Sequence, residues 1–320
     1  MLAFPPLFEA ASDGKQTLSA TEQTVRSQVL RGTRASDYFQ LTKPRVVSLI
    51  VFTAIVGMFL AAPGLPSLLA VFWGTLGIAL AAASAAAINH VLDARIDAEM
   101  ARTRHRPLPQ GALRESHALA FAFVLGSASM LILALLVNAL TAVLTFFSLT
   151  GYEVLYTVWL KRATPQNIVI GGSAGAAPPV LGWTAITGSL HPDALLMFLV
   201  IFAWTPPHFW SLAIARRDEY ARVGIPMLPV THGIAYTKQF IWHYTVLLTV
   251  ITVLPYLSGM SGLIYALAAL VLNAVFLRYA WLLKRSDRGN LPMRTFRYSI
   301  KYLTLLFAAL LIDHYLPIRF

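Results

Sequence analysis

SLLAVFWGTLGIALAAASAAAI (Ser67–Ile88) runs without a single charged side chain straight into NHVLDARIDAEMARTRHRPLP (Asn89–Pro109), where charges crowd. A hydrocarbon core about 30 Å thick is crossed by ~20 apolar residues in a helix, so the first stretch has the length of a membrane span. The second stretch sets Asn89, Asp93 and Asp97 four residues apart, on one helical face at the end of that span. Charge near hydrocarbon is expensive, so an apolar helix that ends in a ladder of oxygen ligands is a span with a chemically equipped end.

Outward from it, apolar windows fall near Val46–Ala62, Ser67–Ile88, His117–Val137, Leu140–Leu160, Ile168–Gly188, Ala194–Ala215, Phe240–Leu257, Gly262–Leu283 and Tyr298–Leu316. Nine windows predict an all-α polytopic membrane protein whose first partner is the lipid bilayer. Of 320 residues, 57% are hydrophobic and 12% charged, against ~25% charged in soluble domains, which excludes an ordinary soluble enzyme. No break in composition divides residues 45–320, so one nine-helix domain is expected there, behind a polar leader, residues 1–44, read as disordered and cytoplasmic. The leader has no apolar run long enough for a signal peptide, and Glu9, Asp13 and Glu22 are acidic where a mitochondrial transit peptide is acid-poor.

The net charge of +11 raises nucleic acid as a partner, but no soluble module carries it. Most Lys and Arg sit in short patches before the first span and after spans two, four, six and eight, while the connections at Pro63–Pro66, Asn138, Ser189–Asp193 and Ser258–Ser261 contain none. Under the positive-inside rule this places the N-terminus and the basic loops in the cytoplasm and the C-terminus outside. The chain has no cysteine, which removes disulfides, thiolate catalysis and Cys-ligated metals.

In a chain with only 14 acidic residues, two acidic clusters stand out at helix ends on that cytoplasmic face: Asn89, Asp93 and Asp97 after span two, and Asp218 with Glu219 after span six. Hard oxygen ligands on one face suit Mg²⁺, which takes one or two carboxylates and completes its shell with waters and phosphate oxygens. On a solvated helix end the same acids would instead pair with Arg95, Arg102 or Arg104, and spacing alone leaves both open. Arg102, Arg104, Arg106, Lys161, Arg162, Arg216, Arg217 and Arg222 lie around the clusters, enough cations for a diphosphate or other anion, although each also serves as a topology signal. A metal-and-cation site opening into lipid suits an isoprenyl diphosphate, whose tail favours hydrocarbon and whose head favours Mg²⁺.

The motifs resemble the UbiA-type intramembrane prenyltransferases, and within them the heme-farnesylating branch. The resemblance covers nearly the whole chain after the leader. It is carried by LTKPR (Leu41–Arg45), NHVLDARID with MARTRHRPLP (Asn89–Pro109), YTVWLKRATPQNIVIGGSAGAAPPVLGW (Tyr156–Trp183), WTPPHFWSLAIARRDEY (Trp204–Tyr220) and GIPMLPVTHG (Gly224–Gly233). The Asn-x-x-x-Asp-x-x-x-Asp element marks only the superfamily; LKRATPQNIVIGG, TPPHFW and GIPMLP are the more specific parts.

The resemblance implies four-plus-four helices as a pseudo-repeat with an added C-terminal helix, in a bacterial inner membrane. It implies farnesyl transfer from farnesyl diphosphate to a vinyl group of heme b, with water adding and pyrophosphate leaving, to give heme O. Mg²⁺ would bind Asn89, Asp93 and Asp97, with Asp218 and Glu219 as a second metal site. That second motif departs from the superfamily, since Arg216 and Tyr220 stand where acids are frequent, which leaves the number of metal ions open. Lys43, Arg102, Arg106, Lys161, Arg162 and Asn167 are candidates for the diphosphate or for heme propionates. His208, on a helix about 15 Å deeper than the acidic end, is a candidate heme ligand, the alternative being a polar residue bonded to a neighbouring helix; His90 and His232 carry less weight. Heme A synthase stays open as a protein partner.

Pro178–Pro179 and the glycines around them predict a kinked, closely packed fifth span. Trp159, Trp183, Trp204 and Trp210 read as interfacial anchors, the alternative being an aromatic wall around a carbocation. The rival functions are a UbiA-type enzyme with another aromatic or tetrapyrrole acceptor, a transporter and a structural assembly subunit; transporters place coupling charges near the midplane, whereas here only Glu153 and Asp313 lie away from loops.

Overall fold

A computed structural model of the chain describes residues 33–151, 163–286 and 289–316. Among the described residues the secondary structure is helical throughout, with no strand. The helices are α1 (Ala35–Leu41), α2 (Pro44–Leu60), α3 (Leu68–Leu92), α4 (Ala94–Glu99), α5 (Glu115–Ile132, extended by a π turn over Leu133–Val137), α6 (Ala139–Thr150), α7 (Asn167–Ala176) and α8 (Pro178–Thr187). They continue with α9 (Pro192–Ala215), α10 (Arg217–Arg222), α11 (Leu228–Thr231), α12 (Gly233–Ile251), α13 (Leu254–Leu257), α14 (Leu263–Arg285) and α15 (Leu291–Tyr315).

Six segments are long and apolar enough to cross a membrane: α3, α5 with its π turn, α9, α12 with α13, α14 and α15. The remaining three expected spans take other forms. Span one is the slightly shorter α2, which continues α1 across a 53° bend. Span four begins as α6, and its second half lies outside the described residues. Span five is divided at Ala177 into α7 and α8, because Pro178 and Pro179 have no N–H to give the preceding turn. Large apolar side chains such as Phe72, Phe123, Leu135, Phe147, Leu270 and Leu305 are exposed, the surface that hydrocarbon would cover. The chain is a multi-pass membrane protein.

Packing closes the helices into one body. α3 lies against α5, α2 against α8, α9 against α7, α12 and α15, and α14 against α15, while α15 returns to α2. The α2–α8 contact is backbone to backbone: a Cβ on Gly57 would stand 2.3 Å from the Pro179 carbonyl oxygen, and one on Gly182 2.0 Å from that of Ala54. Small residues thus supply close approach where apolar burial gives little net drive.

The boundary expected at residue 44 falls inside this packed body. Residues 35–41, read from sequence as leader, form α1, with Leu41 and Asp37 buried and contacts to α3 and α5; Asp37 caps the helix by accepting from the Arg34 N–H at 2.9 Å. The rest of the leader, residues 1–32, lies outside the described residues. The tryptophan reading is corrected as well. Trp183, Trp204 and Trp210 are buried in the helix packing rather than held at an interface, while Trp159 lies outside the described residues. Asp313 is explained structurally, since its carboxylate accepts from the backbone N–H groups of Gly262 and Tyr265 and caps the start of α14.

Candidate functional site

α3 breaks at Asp93 and resumes as α4, yet the helical hydrogen bonds run through the break: Asp93 N–H to Asn89 O at 3.0 Å and Asp97 N–H to Asp93 O at 2.8 Å. Spacing by four therefore still stacks Asn89, Asp93 and Asp97 on one face, and all three are buried. Among the described residues, Lys43 and Arg106 reach them from other segments. Arg106, in the turns after α4, donates Nη1 to Asp97 Oδ2 at 2.5 Å, and Thr103 Oγ1 donates to the Asp97 carbonyl at 3.1 Å, holding that turn against α4. Lys43 donates its Nζ to Asn89 Oδ1. It does so from the bend between α1 and α2, where it is the only non-glycine at positive φ (47°) among the described residues, a conformation that disfavours an L side chain and is kept at functional sites.

The second cluster repeats the same backbone device. α9 breaks at Arg216 and resumes as the six-residue α10, as α3 breaks at Asp93 and resumes as the six-residue α4. By position in this device Arg216 corresponds to Asp93, and Tyr220, one turn on, to Asp97. Arg216 donates Nη1 to Glu219 Oε1 at 2.6 Å, and the Glu219 side chain is 15% exposed. Asp218 points the other way: its side chain is 90% exposed, with Arg217 3.6 Å off. The structure thus brings Glu219 toward the interior and leaves Asp218 facing outward, both on a shallow depression of about 380 Å³ against Ile214 and Ile234.

Tyr220 lies within electrostatic reach of both clusters. Burial raises its phenol above the ordinary value, and the charges acting on it come from both sides: Arg102 lowers it, Glu219 raises it, Arg216 lowers it and Asp93 raises it. Arg102, although exposed, is thus one of the charges acting on Tyr220. Asn167, the first residue of α7, is fully buried. Lys161 and Arg162 lie outside the described residues.

His208 sits deeper, on α9, with its ring stacked between Trp204 (centroids 4.2 Å apart) and Phe296 (4.6 Å). Its Nδ1 is 2.7 Å from Ser299 Oγ. That hydroxyl gives its own proton to the Phe296 carbonyl at 2.7 Å, so Nδ1 is the donor and Nε2 carries the lone pair. Trp204 Nε1 donates to the Ser299 carbonyl at 2.8 Å and fixes the same joint between α9 and α15. The bond to a neighbouring helix is therefore present, and the tautomer leaves Nε2 as an acceptor.

Among the described residues no three His, Asp or Glu side chains converge closely enough to form a complete metal cage. The donor set still fits Mg²⁺, which is bound by one or two carboxylates with substrate phosphates and waters supplying the remainder. His90, given little weight from the sequence, is buried beside Asn89, and Tyr220, given no role there, is half-buried beside Arg216 and Glu219. Their proximity to charged partners from other segments marks them only in three dimensions.

Residues 50–309 match the family model of the UbiA prenyltransferase family. The chain is 62% identical over 279 residues to protoheme IX farnesyltransferase of Methylococcus capsulatus, covering 87% of this chain and 94% of the relative. It is 59% identical to the protein of that name in Hahella chejuensis, covering 88% and 94%. Among solved structures, a digeranylgeranylglyceryl phosphate synthase superposes with TM-score 0.73 at 17% identity, covering 87% of this chain and 98% of that one. A UbiA homolog from Archaeoglobus fulgidus bound to GPP and Mg²⁺ superposes with TM-score 0.59 at 16% identity, covering 86% and 99%. With its paired helix breaks, its buried Asn89–Asp93–Asp97 face and this similarity across most of its length, the chain belongs to the UbiA prenyltransferase family and stands within it among the protoheme IX farnesyltransferases.

Proposed function

We propose that this chain transfers the farnesyl group of farnesyl diphosphate to a vinyl group of protoheme IX (heme b), with addition of water, to give heme O and pyrophosphate. The observation that carries the reading is the buried face of Asn89, Asp93 and Asp97, met by Lys43 and Arg106, in a chain 62% identical to a protoheme IX farnesyltransferase. The bilayer-facing helices around that face suit a substrate with a polar head and a long apolar tail.

Asn89, Asp93 and Asp97 hold Mg²⁺ in this reading, with Glu219 facing them across Tyr220 and Asp218 reaching the site only by turning inward. An ion bound there would supply charge neutralisation for the departing pyrophosphate. Lys43 and Arg106, now on Asn89 and Asp97, add donors for diphosphate oxygens, and Arg102 closes over the site. The phenol of Tyr220, kept protonated by burial, offers an O–H and no further negative charge. Deeper along α9, Trp204 and Phe296 give aromatic faces to a developing allylic cation, and His208 presents Nε2 to the heme iron.

In topology, the chain crosses the bacterial inner membrane nine times, α7 and α8 forming one broken span, with the acidic ends in the cytoplasm and the C-terminus outside. The paired breaks at Asp93 and Arg216 support a four-plus-four repeat with α15 added. Expression in a host unable to make heme O, with mass spectrometry of extracted hemes, tests the reading. Heme O is expected with the parent chain and none with Asp93→Ala. Prenylation of a hydroxybenzoate or another acceptor, with heme b left unchanged, would overturn it.

A further inference from the structure

We infer that His90 is a further substrate-binding residue, giving a ring N–H to an anionic oxygen of the diphosphate from within the Asn89–Asp93–Asp97 face. The inference rests on the prenyl-diphosphate reading above and adds to it a residue outside the oxygen-ligand set of either acidic cluster.

His90 is 3% exposed, and neither ring nitrogen has a hydrogen-bond partner. An imidazole always carries at least one N–H, so its burial here strips water from a donor and returns nothing. Buried polar atoms in native proteins are paired in the great majority, and one left unpaired at the wall of a site calls for a ligand. Its position on α3 fits. Asp93 lies three residues on and Asp97 seven residues on, so His90 borders the same face as the two carboxylates.

The neighbouring charges decide what kind of ligand. Lys43 and Arg106 both act electrostatically on the His90 ring. Ammonium and guanidinium groups are donors only, so neither can accept the His90 proton. Two cations near an unpaired N–H favour an acceptor with several oxygens and negative charge. A diphosphate and a heme propionate share that chemistry. The diphosphate is favoured because His90 adjoins the oxygen ligands that select a phosphate-bridging cation, and hard cations take oxygen rather than imidazole.

The test uses the full chain in lipid nanodiscs with Mg²⁺, measuring the affinity for inorganic pyrophosphate and the KM values for farnesyl diphosphate and heme b. Losing one charge-assisted hydrogen bond predicts that His90→Leu weakens pyrophosphate binding, and raises the farnesyl diphosphate KM, by about tenfold to a hundredfold. The KM for heme b should stay within twofold, and His90→Gln, which keeps a donor, should recover most of the loss. If His90→Leu does not fold, His90→Phe keeps the ring volume without the nitrogens and carries the same expectation. Pyrophosphate affinity unchanged in the donor-free variant, no recovery with Gln, a shift confined to heme b, or no pyrophosphate binding by the parent chain each overturns the inference. A parent chain that binds pyrophosphate through His90 yet makes no heme O would overturn the acceptor reading alone.

Discussion

Asp97→Asn separates a metal-binding carboxylate from an ion-pair partner. Asn keeps the shape of Asp97 and removes its charge, leaving the Arg106 guanidinium 2.5 Å from a neutral amide. Breaking a fully buried pair costs about 3–5 kcal/mol, but the Arg106 side chain is 19% exposed and can turn to water. A folding penalty of about 1–2 kcal/mol is therefore expected. Catalysis loses more: an ion ligand worth about 3–4 kcal/mol of transition-state charge stabilisation corresponds to a 10²- to 10³-fold fall in kcat/KM. The double variant Asp97→Asn/Arg106→Gln then decides between the roles. Removing the unpaired cation should restore the thermal midpoint toward the parent value while heme O formation stays low. Recovery of stability and activity together would show that Asp97 serves only to pair Arg106, and the metal-site reasoning would fail.

Three other perturbations have defined outcomes. Gly182→Ala places a methyl 2.0 Å from the Ala54 carbonyl oxygen, so α2 and α8 must separate; a loss of at least about 2 kcal/mol is expected from overpacking, read as a lower thermal midpoint in detergent, and an unchanged midpoint would contradict the backbone contact. Lys43→Gly relieves a positive φ worth about 1–2 kcal/mol and returns part of it as chain entropy, so it should be more stable than Lys43→Met while both lose affinity for farnesyl diphosphate; equal midpoints would refute the strain. For His208, titration with heme b followed in the Soret band should show altered spectrum and affinity with His208→Ala and a smaller change with Ser299→Ala, which frees the tautomer; spectra identical to the parent's in both would exclude Nε2 as the ligand.

The spans and the first cluster were legible because both depend on short-range periodicity. Apolar length located α3, α9 and α14 within a few residues, and spacing by four placed Asn89, Asp93 and Asp97 on one face. Helix ends were read short where polar residues continue a helix beyond the hydrocarbon: α12 starts at Gly233 rather than Phe240 because Tyr236, Thr237 and Lys238 remain helical, and α15 starts at Leu291 ahead of Arg294 and Arg297. Asp218 and Glu219 read as one cluster in sequence, but adjacent helical residues point about 100° apart, so Glu219 turns inward and Asp218 outward. The contacts that define the site cross long stretches of chain. Lys43 meets Asn89 across 46 residues and His208 meets Ser299 across 91, and no local pattern encodes such pairs.

The paired breaks explain why the site is electrostatically lopsided. After α3 the device carries Asp93 and, a turn later, Asp97; after α9 the corresponding places carry Arg216 and Tyr220. The same backbone geometry thus presents two carboxylates from one half and a guanidinium with a phenol from the other. Arg216 is largely neutralised by Glu219 at 2.6 Å, and burial keeps Tyr220 protonated through the neutral range, so these two positions add little net charge. Among the described residues, Lys43 reaches the first cluster from the bend before α2 and Arg106 from the turns after α4. Lys43 and Arg106 thus bring their charge to the Asn89–Asp93–Asp97 face from segments outside α3 and α4, which is why the site does not follow from the helix break alone.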